Sequence, residues 1–164
     1  TAPGPLLPIA QALAVEMGGE PVVIAEGDRP LYHAALSHAS NHMVTLVGQA
    51  SQILSGIGVE DPSHVLGPLL RATLDNALAS GDSALTGPVV RGDAGTVEAH
   101  RQILAGFAAE ERAEDIDAAY LAMARATADR ARSRGALSEE GHARILRALD
   151  LEGGAEDEAG GVGQ

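Results

Sequence analysis

The sequence predicts a mainly all-α fold that begins with a single α-β unit, and three observations support this. Alanine and aliphatic residues supply nearly all of the apolar side chains, because aromatic residues make up only 2% of the chain. This composition favours helices, which accommodate small side chains at close contacts better than sheets do. Several long segments have apolar residues at helical spacing between capping signals. Residues 21–25 are the one short β-branched run with the pattern of a strand.

The α-β unit is predicted over residues 1–27. Residues 6–17 have the pattern of a helix, which ends at Gly18 and Gly19 because glycine supplies the left-handed C-cap. The apolar run at 21–25 is then predicted to be a buried strand. A single strand cannot satisfy its own ladder hydrogen bonds. We therefore interpret residues 1–27 as the last helix and strand of a sheet whose other strands are missing from the chain.

Residues 28–152 are predicted to form a domain of five helices. Asp28, Asp93 and Ser138 are the expected N-caps, since their side chains can accept hydrogen bonds from free backbone amides. The predicted helices cover about residues 29–57, 61–79, 93–107, 110–135 and 138–151. Residues 82–92, with Gly87 and Pro88 at their centre, are predicted to be a loop. Residues 153–164 are rich in glycine and acidic residues and are predicted to be a disordered tail.

Composition and charge exclude several classes of function. The formal net charge is −12, and all 11 basic residues are arginine. Nucleic acid is therefore not an expected partner, because binding its backbone requires clustered basic residues. The absence of cysteine excludes disulfides, thiol nucleophiles and cysteine-ligated metals. No apolar run reaches the length of a membrane span, so we expect no membrane insertion. A cytoplasmic location is a separate expectation.

The first long helix has a face of small and polar residues on an otherwise apolar surface. The members of this face lie within an arc of about 100° of the helix: His33, Ser37, Ser40, Asn41, Gly48, Ser51 and Ser55. One interpretation is a close helix–helix contact or a solvent-facing side. The other is the wall of a cleft, in which His33 and Asn41 face a small polar ligand. Histidine is suited to proton donation near neutral pH, and asparagine can orient a carboxylate or hydroxyl.

His38 and His42 on the same helix have the spacing of two metal ligands on one helix face. No glutamate follows His38, as it does in metalloprotease helices, and the sequence offers no evident third ligand. We therefore expect no metal site.

The segment around Thr86, Gly87 and Arg91 is a second candidate site. It is bounded by glycine and proline and leads into a predicted helix. Backbone amides at a helix N-terminus and a nearby arginine attract carboxylates or phosphates. A plain turn followed by the N-cap Asp93 is the alternative interpretation.

Three segments share order and spacing with a known family. They read LYHAALSHASN at 31–41, PLL and LDN at 68–70 and 74–76, and ALTGPVVRGD at 84–93, followed by Val97, Glu98 and His100. Together they resemble the little-characterised helical C-terminal domain that follows a Rossmann-like NADP-binding domain in many bacterial proteins. The resemblance covers about residues 5–107. It implies a C-terminal helical bundle of the 6-phosphogluconate-dehydrogenase-like type, similar in plan to ketopantoate reductase, β-hydroxyacid dehydrogenases and pyrroline-5-carboxylate reductase.

The resemblance also implies a function. NADP, or NAD, would be bound mainly by the Rossmann-like domain that is missing here, since this chain has no Gly-x-Gly-x-x-Gly after a strand. The substrate would be a small 2-oxo acid such as ketopantoate, with its carboxylate at Arg91 or at Thr86 and Gly87. Asn41 matches an asparagine of the relatives. Ser37 or His38 stands where they often have a lysine, and we prefer His33 as proton donor because it lies on the side of the helix that carries Asn41.

Two alternatives remain beside the oxidoreductase. The chain is then either a non-catalytic dimerisation or regulatory module attached to an NADP(H)-sensing Rossmann domain, or an unrelated helical domain. We expect a homodimer, because relatives of this plan often dimerise through their helical halves. Its expected surface is formed by apolar residues of the later helices: Leu121, Met123, Ile145, Leu146 and Leu149.

Overall fold

A computed structural model describes residues 3–150, and in that range the protein is helical and contains no strand. The α-helices of the described residues are α1 (Leu7–Glu16), α2 (Arg29–Gly56), α3 (Pro62–Ser80), α4 (Pro88–Arg91), α5 (Ala94–Glu111), α6 (Glu114–Ser133) and α7 (Glu139–Asp150). Short 3₁₀ turns occupy Gly4–Leu6, Glu26–Asp28 and Gly81–Ala84. The mainly α-helical class is confirmed. The predicted tail at 153–164 lies outside the described residues.

The chain divides into two compact units, Thr1–Thr45 and Leu46–Gln164, so the division falls within α2. The first unit contains α1, an irregular segment and the first half of α2. The second contains the rest of α2 and all later helices. The sequence had predicted the division at residue 28, where the α-β unit was expected to end.

Of the three predicted caps, those at Asp93 and Ser138 form, Asp61 also caps α3, and Asp28 is the last residue of the 3₁₀ turn before α2. A carboxylate oxygen of Asp61 accepts hydrogen bonds from the backbone amides of Ser63 at 3.1 Å and His64 at 3.3 Å, at the start of α3. Asp93 accepts from the amide of Thr96 at 3.1 Å, at the start of α5. The Ser138 hydroxyl accepts from the amide of Gly141 at 3.1 Å, at the start of α7. Each cap satisfies amides that have no partner inside their own helix.

The predicted strand at residues 21–25 does not form. Residues 19–25 have no regular secondary structure, and Val22 and Val23 are 65% and 62% exposed. The physical reason is that a strand is stabilised by the ladder of a neighbouring strand, and the described residues provide none. The segment is therefore an apolar stretch of the first unit without regular structure, with Val22 and Val23 exposed.

The core of the second unit lies between α4, α5, α6 and α7, and alanine dominates it. Its buried members are Val89, Val97, Ala124, Ala128, Ala131, Leu137, Ile145, Ala148 and Leu149. Ile145 and Leu149 were expected on a dimer surface, and this expectation was wrong. They are 0% and 1% exposed because α7 is amphipathic and packs its apolar side against α5 and α6.

In contrast to α7, helix α3 leaves large apolar side chains in solvent. Its main contact is with the 3₁₀ turn that follows it, Gly81–Ala84. Four side chains on α3 are between 39% and 79% exposed: Val65, Leu69, Leu74 and Leu78. A helix that is apolar on several sides is normally buried in a core or against a partner.

Candidate functional site

The polar face predicted on the first long helix is present in the first unit. Residues 33, 37 and 41 are four positions apart on α2, so they follow one another along one side of the helix. The Ser37 hydroxyl lies 3.4 Å from Nε2 of His33. When that nitrogen carries no proton, the hydroxyl donates to it and holds the ring in place. His33 and Asn41 are exposed and Ser37 is half-buried, so all three side chains are accessible to a ligand.

Two open depressions of the first unit adjoin this face. The first has a volume of about 860 Å³, and His33, Tyr32 and Arg29 are among the residues that line it. Arg29 is held there by a 2.9 Å ion pair with Glu26. The second depression has a volume of about 590 Å³ and is lined by Ser37 and Asn41 together with alanine, leucine and histidine side chains. The hydrogen bond between His33 and Ser37 therefore joins the polar groups of two neighbouring depressions.

His38 and His42 lie on the second depression and contact each other. Their ring centroids are 4.6 Å apart and the rings meet edge to face, at 89°. Both residues are exposed. Within residues 3–150, no group of three or more histidine, cysteine, aspartate or glutamate side chains is placed to hold a metal ion. The pair therefore offers two ligands and no third from the described part of the chain.

The second predicted site, around Thr86, Gly87 and Arg91, belongs to the second unit. It is not the plain loop that the sequence predicted, because residues 88–91 form the short helix α4. Gly87 has a φ of 95° and Gly92 a φ of 69°, and glycine adopts this left-handed backbone without strain. Between them Val89 enters the core, which fixes the segment, while Thr86 and Arg91 remain exposed.

One contact that the sequence analysis did not identify precedes this segment, and the predicted cap at Asp93 ends it. Arg130 on α6 donates to both carboxylate oxygens of Asp82, at 2.9 and 3.0 Å, just before the segment. Its partner is 48 residues away, so no local pattern could have indicated the pair. After the segment, hydrogen bonds from the Thr96 hydroxyl and amide, with the charges of Arg91 and His100, lower the pKa of Asp93 from its ordinary value of 3.8.

His100 has a further partner in Tyr120 on α6. The Tyr120 hydroxyl lies 3.3 Å from Nδ1 of His100, and their rings are 6.1 Å apart. Partial burial raises the pKa of the Tyr120 hydroxyl, because it disfavours the ionised form. The sequence analysis had named His100 after the segment at residues 84–93, as part of the family resemblance, without assigning it a role. The charges of Arg91 and His100 thus both act on Asp93, which ends the predicted substrate segment.

No helix within residues 3–150 has the length and apolar character needed to cross a membrane.

Comparison with known proteins identifies one family. A family model described as "Domain of unknown function (DUF2520)" matches residues 1–127, so the chain belongs to this family. No curated protein and no solved structure matches the chain significantly.

Proposed function

We propose that this member of the DUF2520 family is the helical, substrate-side domain of a cytoplasmic NAD(P)-dependent oxidoreductase that acts on a small 2-oxo acid. The observation that supports the proposal is the His33–Ser37 pair, an accessible hydrogen-bonded couple between two open depressions. The proposal rests also on the resemblance to reductases of the 6-phosphogluconate-dehydrogenase-like type.

The dinucleotide would be held by a separate Rossmann-like domain. A dinucleotide site needs a glycine-rich turn between a strand and a helix. The described residues contain no strand, and the sequence contains no Gly-x-Gly-x-x-Gly. When bound, the nicotinamide would supply the hydride, and the residues of this chain would handle the substrate.

In this proposal the α2 face manages the carbonyl group. Reduction leaves a negative charge on the carbonyl oxygen, which has to be stabilised and protonated. His33 is the proton donor, and Ser37 orients its ring through the 3.4 Å contact. Asn41, one turn further along, donates from its side-chain amide to the same oxygen or to the neighbouring carboxylate. Arg91, or alternatively the backbone amides at Thr86 and Gly87, is a separate candidate for carboxylate binding within the second unit, because a guanidinium forms two parallel hydrogen bonds to such a group.

Steady-state kinetics test these roles in the protein that joins this domain to its Rossmann-like partner. With ketopantoate and NADPH, Asn41→Ala should lower kcat about a hundredfold, because losing one such donor costs about 3 kcal/mol of barrier. His33→Gln should lower kcat, because a glutamine side chain does not act as the acid that protonates the carbonyl oxygen. Arg91→Ala should mainly raise KM, as expected for loss of a ground-state contact. The matched control is His64→Gln, which alters an exposed histidine at the start of α3.

Normal turnover by both Asn41→Ala and His33→Gln would reject the catalytic role of the α2 face. The 164-residue chain alone should bind no NADPH in calorimetry at micromolar concentrations. Tight binding there would reject the assignment of the dinucleotide to a separate domain.

A second candidate function is a non-catalytic dimerisation module, and the exposed apolar side chains of α3 favour it. Leu69 and Leu78 are 62% and 79% exposed on a helix with few contacts of its own. We propose that a second copy of the chain covers this helix, so that the protein is a homodimer in either function. Failure of the reductase assay combined with a stable dimer would favour this candidate.

A further inference from the structure

The side chains of His38 and His42 form a cluster to which the proposed reaction assigns no role. They lie one turn apart on α2, both exposed, with ring centroids 4.6 Å apart. Two imidazoles this close on one side of a helix can bind the same ion without a change in the backbone, because only their side-chain torsions have to adjust. Their rings border an open depression of about 590 Å³, which leaves room for an ion and its remaining ligands.

In contrast to the expectation from the sequence, we propose that His38 and His42 chelate one divalent first-row transition-metal ion. Neutral imidazole is a ligand for Zn²⁺, Ni²⁺ and Cu²⁺, whereas Mg²⁺ prefers oxygen ligands. The site should therefore bind the first three ions and not Mg²⁺. Among them Cu²⁺ should bind most tightly, following the general order of stability for such ligands.

The ion would keep at least two coordination positions free of protein ligands. No third histidine, cysteine, aspartate or glutamate joins the pair within the described residues. Water fills these positions in the absence of other molecules. Ser37 and Asn41 line the same depression, so a small carboxylate could reach the ion and these two side chains together. This consequence concerns ligand binding only, and the metal site does not depend on the proposed oxidoreductase function.

Calorimetric titration of Zn²⁺ into the 164-residue chain tests the proposal. One ion should bind per chain, and Mg²⁺ should give no heat of binding. His38→Gln and His42→Gln should each weaken Zn²⁺ binding by about tenfold or more, which corresponds to about 1.4 kcal/mol. Circular dichroism of both variants should be unchanged, because the positions are exposed on the helix and glutamine is a good helix former.

His64→Gln is the matched control. His64 lies 2.8 Å from its acidic partner Asp61, and this pair could itself attract an ion. Its loss should leave Zn²⁺ affinity unchanged. Loss of binding in His64→Gln, or unchanged binding in both His38→Gln and His42→Gln, would overturn the proposal.

Nuclear magnetic resonance gives a second, independent measurement. Ni²⁺ is paramagnetic and broadens the signals of nearby nuclei, so substoichiometric Ni²⁺ should first broaden the amide signals of residues 38–42. Broadening that begins elsewhere would place the ion at another site and contradict the assignment. Neither readout uses enzymatic activity, so failure of the metal site and failure of the proposed function are distinguishable.

Discussion

The side chain of Gln49 is bound twice by Asp115. Its amide nitrogen donates to the Asp115 carboxylate at 2.8 Å and to the Asp115 backbone carbonyl at 3.1 Å. Gln49 is only 9% exposed, and it fastens the second half of α2 to the first turn of α6. This contact holds the second half of α2 against α6 within the second unit.

Replacing Gln49 should therefore destabilise the protein. Gln49→Leu keeps most of the side-chain volume but removes both hydrogen bonds, which should lower the free energy of unfolding by about 1–3 kcal/mol. Urea denaturation followed by circular dichroism measures this change. Gln52→Leu, at an exposed position of the same helix, is the control and should change stability far less. Equal effects of the two variants would mean that the contact with Asp115 contributes little.

Two glycines of α2 should respond in opposite ways to alanine. A Cβ at Gly48 would meet nothing within 4 Å, so Gly48→Ala should raise stability by up to about 1 kcal/mol through helix propensity. A Cβ at Gly56 would lie 2.6 Å from Cε2 of Phe107. Gly56→Ala should therefore lower stability, by about 1–3 kcal/mol, because the ring must move.

Thermal and urea denaturation of the two glycine variants measure this difference in sign. Adding Phe107→Leu to Gly56→Ala should recover part of the loss, since the smaller side chain leaves room for the methyl group. A stabilised Gly56→Ala would show that Phe107 rotates away freely.

Asp93 should make stability depend on pH in the acidic range. Its pKa is lowered from 3.8 in the folded protein, mainly by the hydrogen bond from the Thr96 hydroxyl. A lowered folded pKa means that the carboxylate contributes stability above 3.8 and loses that contribution as the pH falls through the folded value. Asp93→Asn retains a capping side chain but cannot titrate.

The urea midpoint of Asp93→Asn should accordingly fall less than that of the wild type between about pH 5 and pH 2. Asp75→Asn, at an exposed position of α3, should follow the wild-type curve. Parallel curves for wild type and Asp93→Asn would show that the cap does not distinguish the charged from the neutral form.

The exposed side of α3 should control association. Sedimentation equilibrium at tens of micromolar should give the mass of a dimer for the wild type and of a monomer for Leu69→Asp, because a buried unpaired charge disfavours the interface. Met123→Asp is the control. Met123 is 43% exposed on α6, where the sequence had predicted the interface. A monomeric wild type, or a dimer lost only in Met123→Asp, would contradict the assignment to α3.

Local signals made much of the fold predictable. Asp61, Asp93 and Ser138 begin helices because capping depends on a few neighbouring residues. The prediction from the sequence missed α4, because four residues between Gly87 and Gly92 are too few to show the apolar spacing of a helix. It also ended α5 early, at Phe107 instead of Glu111.

Contacts between distant residues were not predictable from one sequence. Gln49 and Asp115 are 66 positions apart, and neither has a pattern that identifies the other. The predicted strand failed for a similar reason, because its formation depends on a partner strand and not on its own residues. Of the candidate site, the helical spacing of His33, Ser37 and Asn41 was predictable. The Tyr120 partner of His100 was not.

Alanine is the main residue where α6 meets its neighbours. Ala124, Ala128 and Ala131 follow one another along one side of α6 and are at most 5% exposed. A core of methyl groups has little volume to lose but cannot accept additional volume without pushing the helices apart, at a cost of about 1–3 kcal/mol per enlarged residue. Alanine-scanning mutagenesis would therefore pass over these positions without a signal. A scan that replaces each residue by valine or leucine would identify these positions by a large loss of stability.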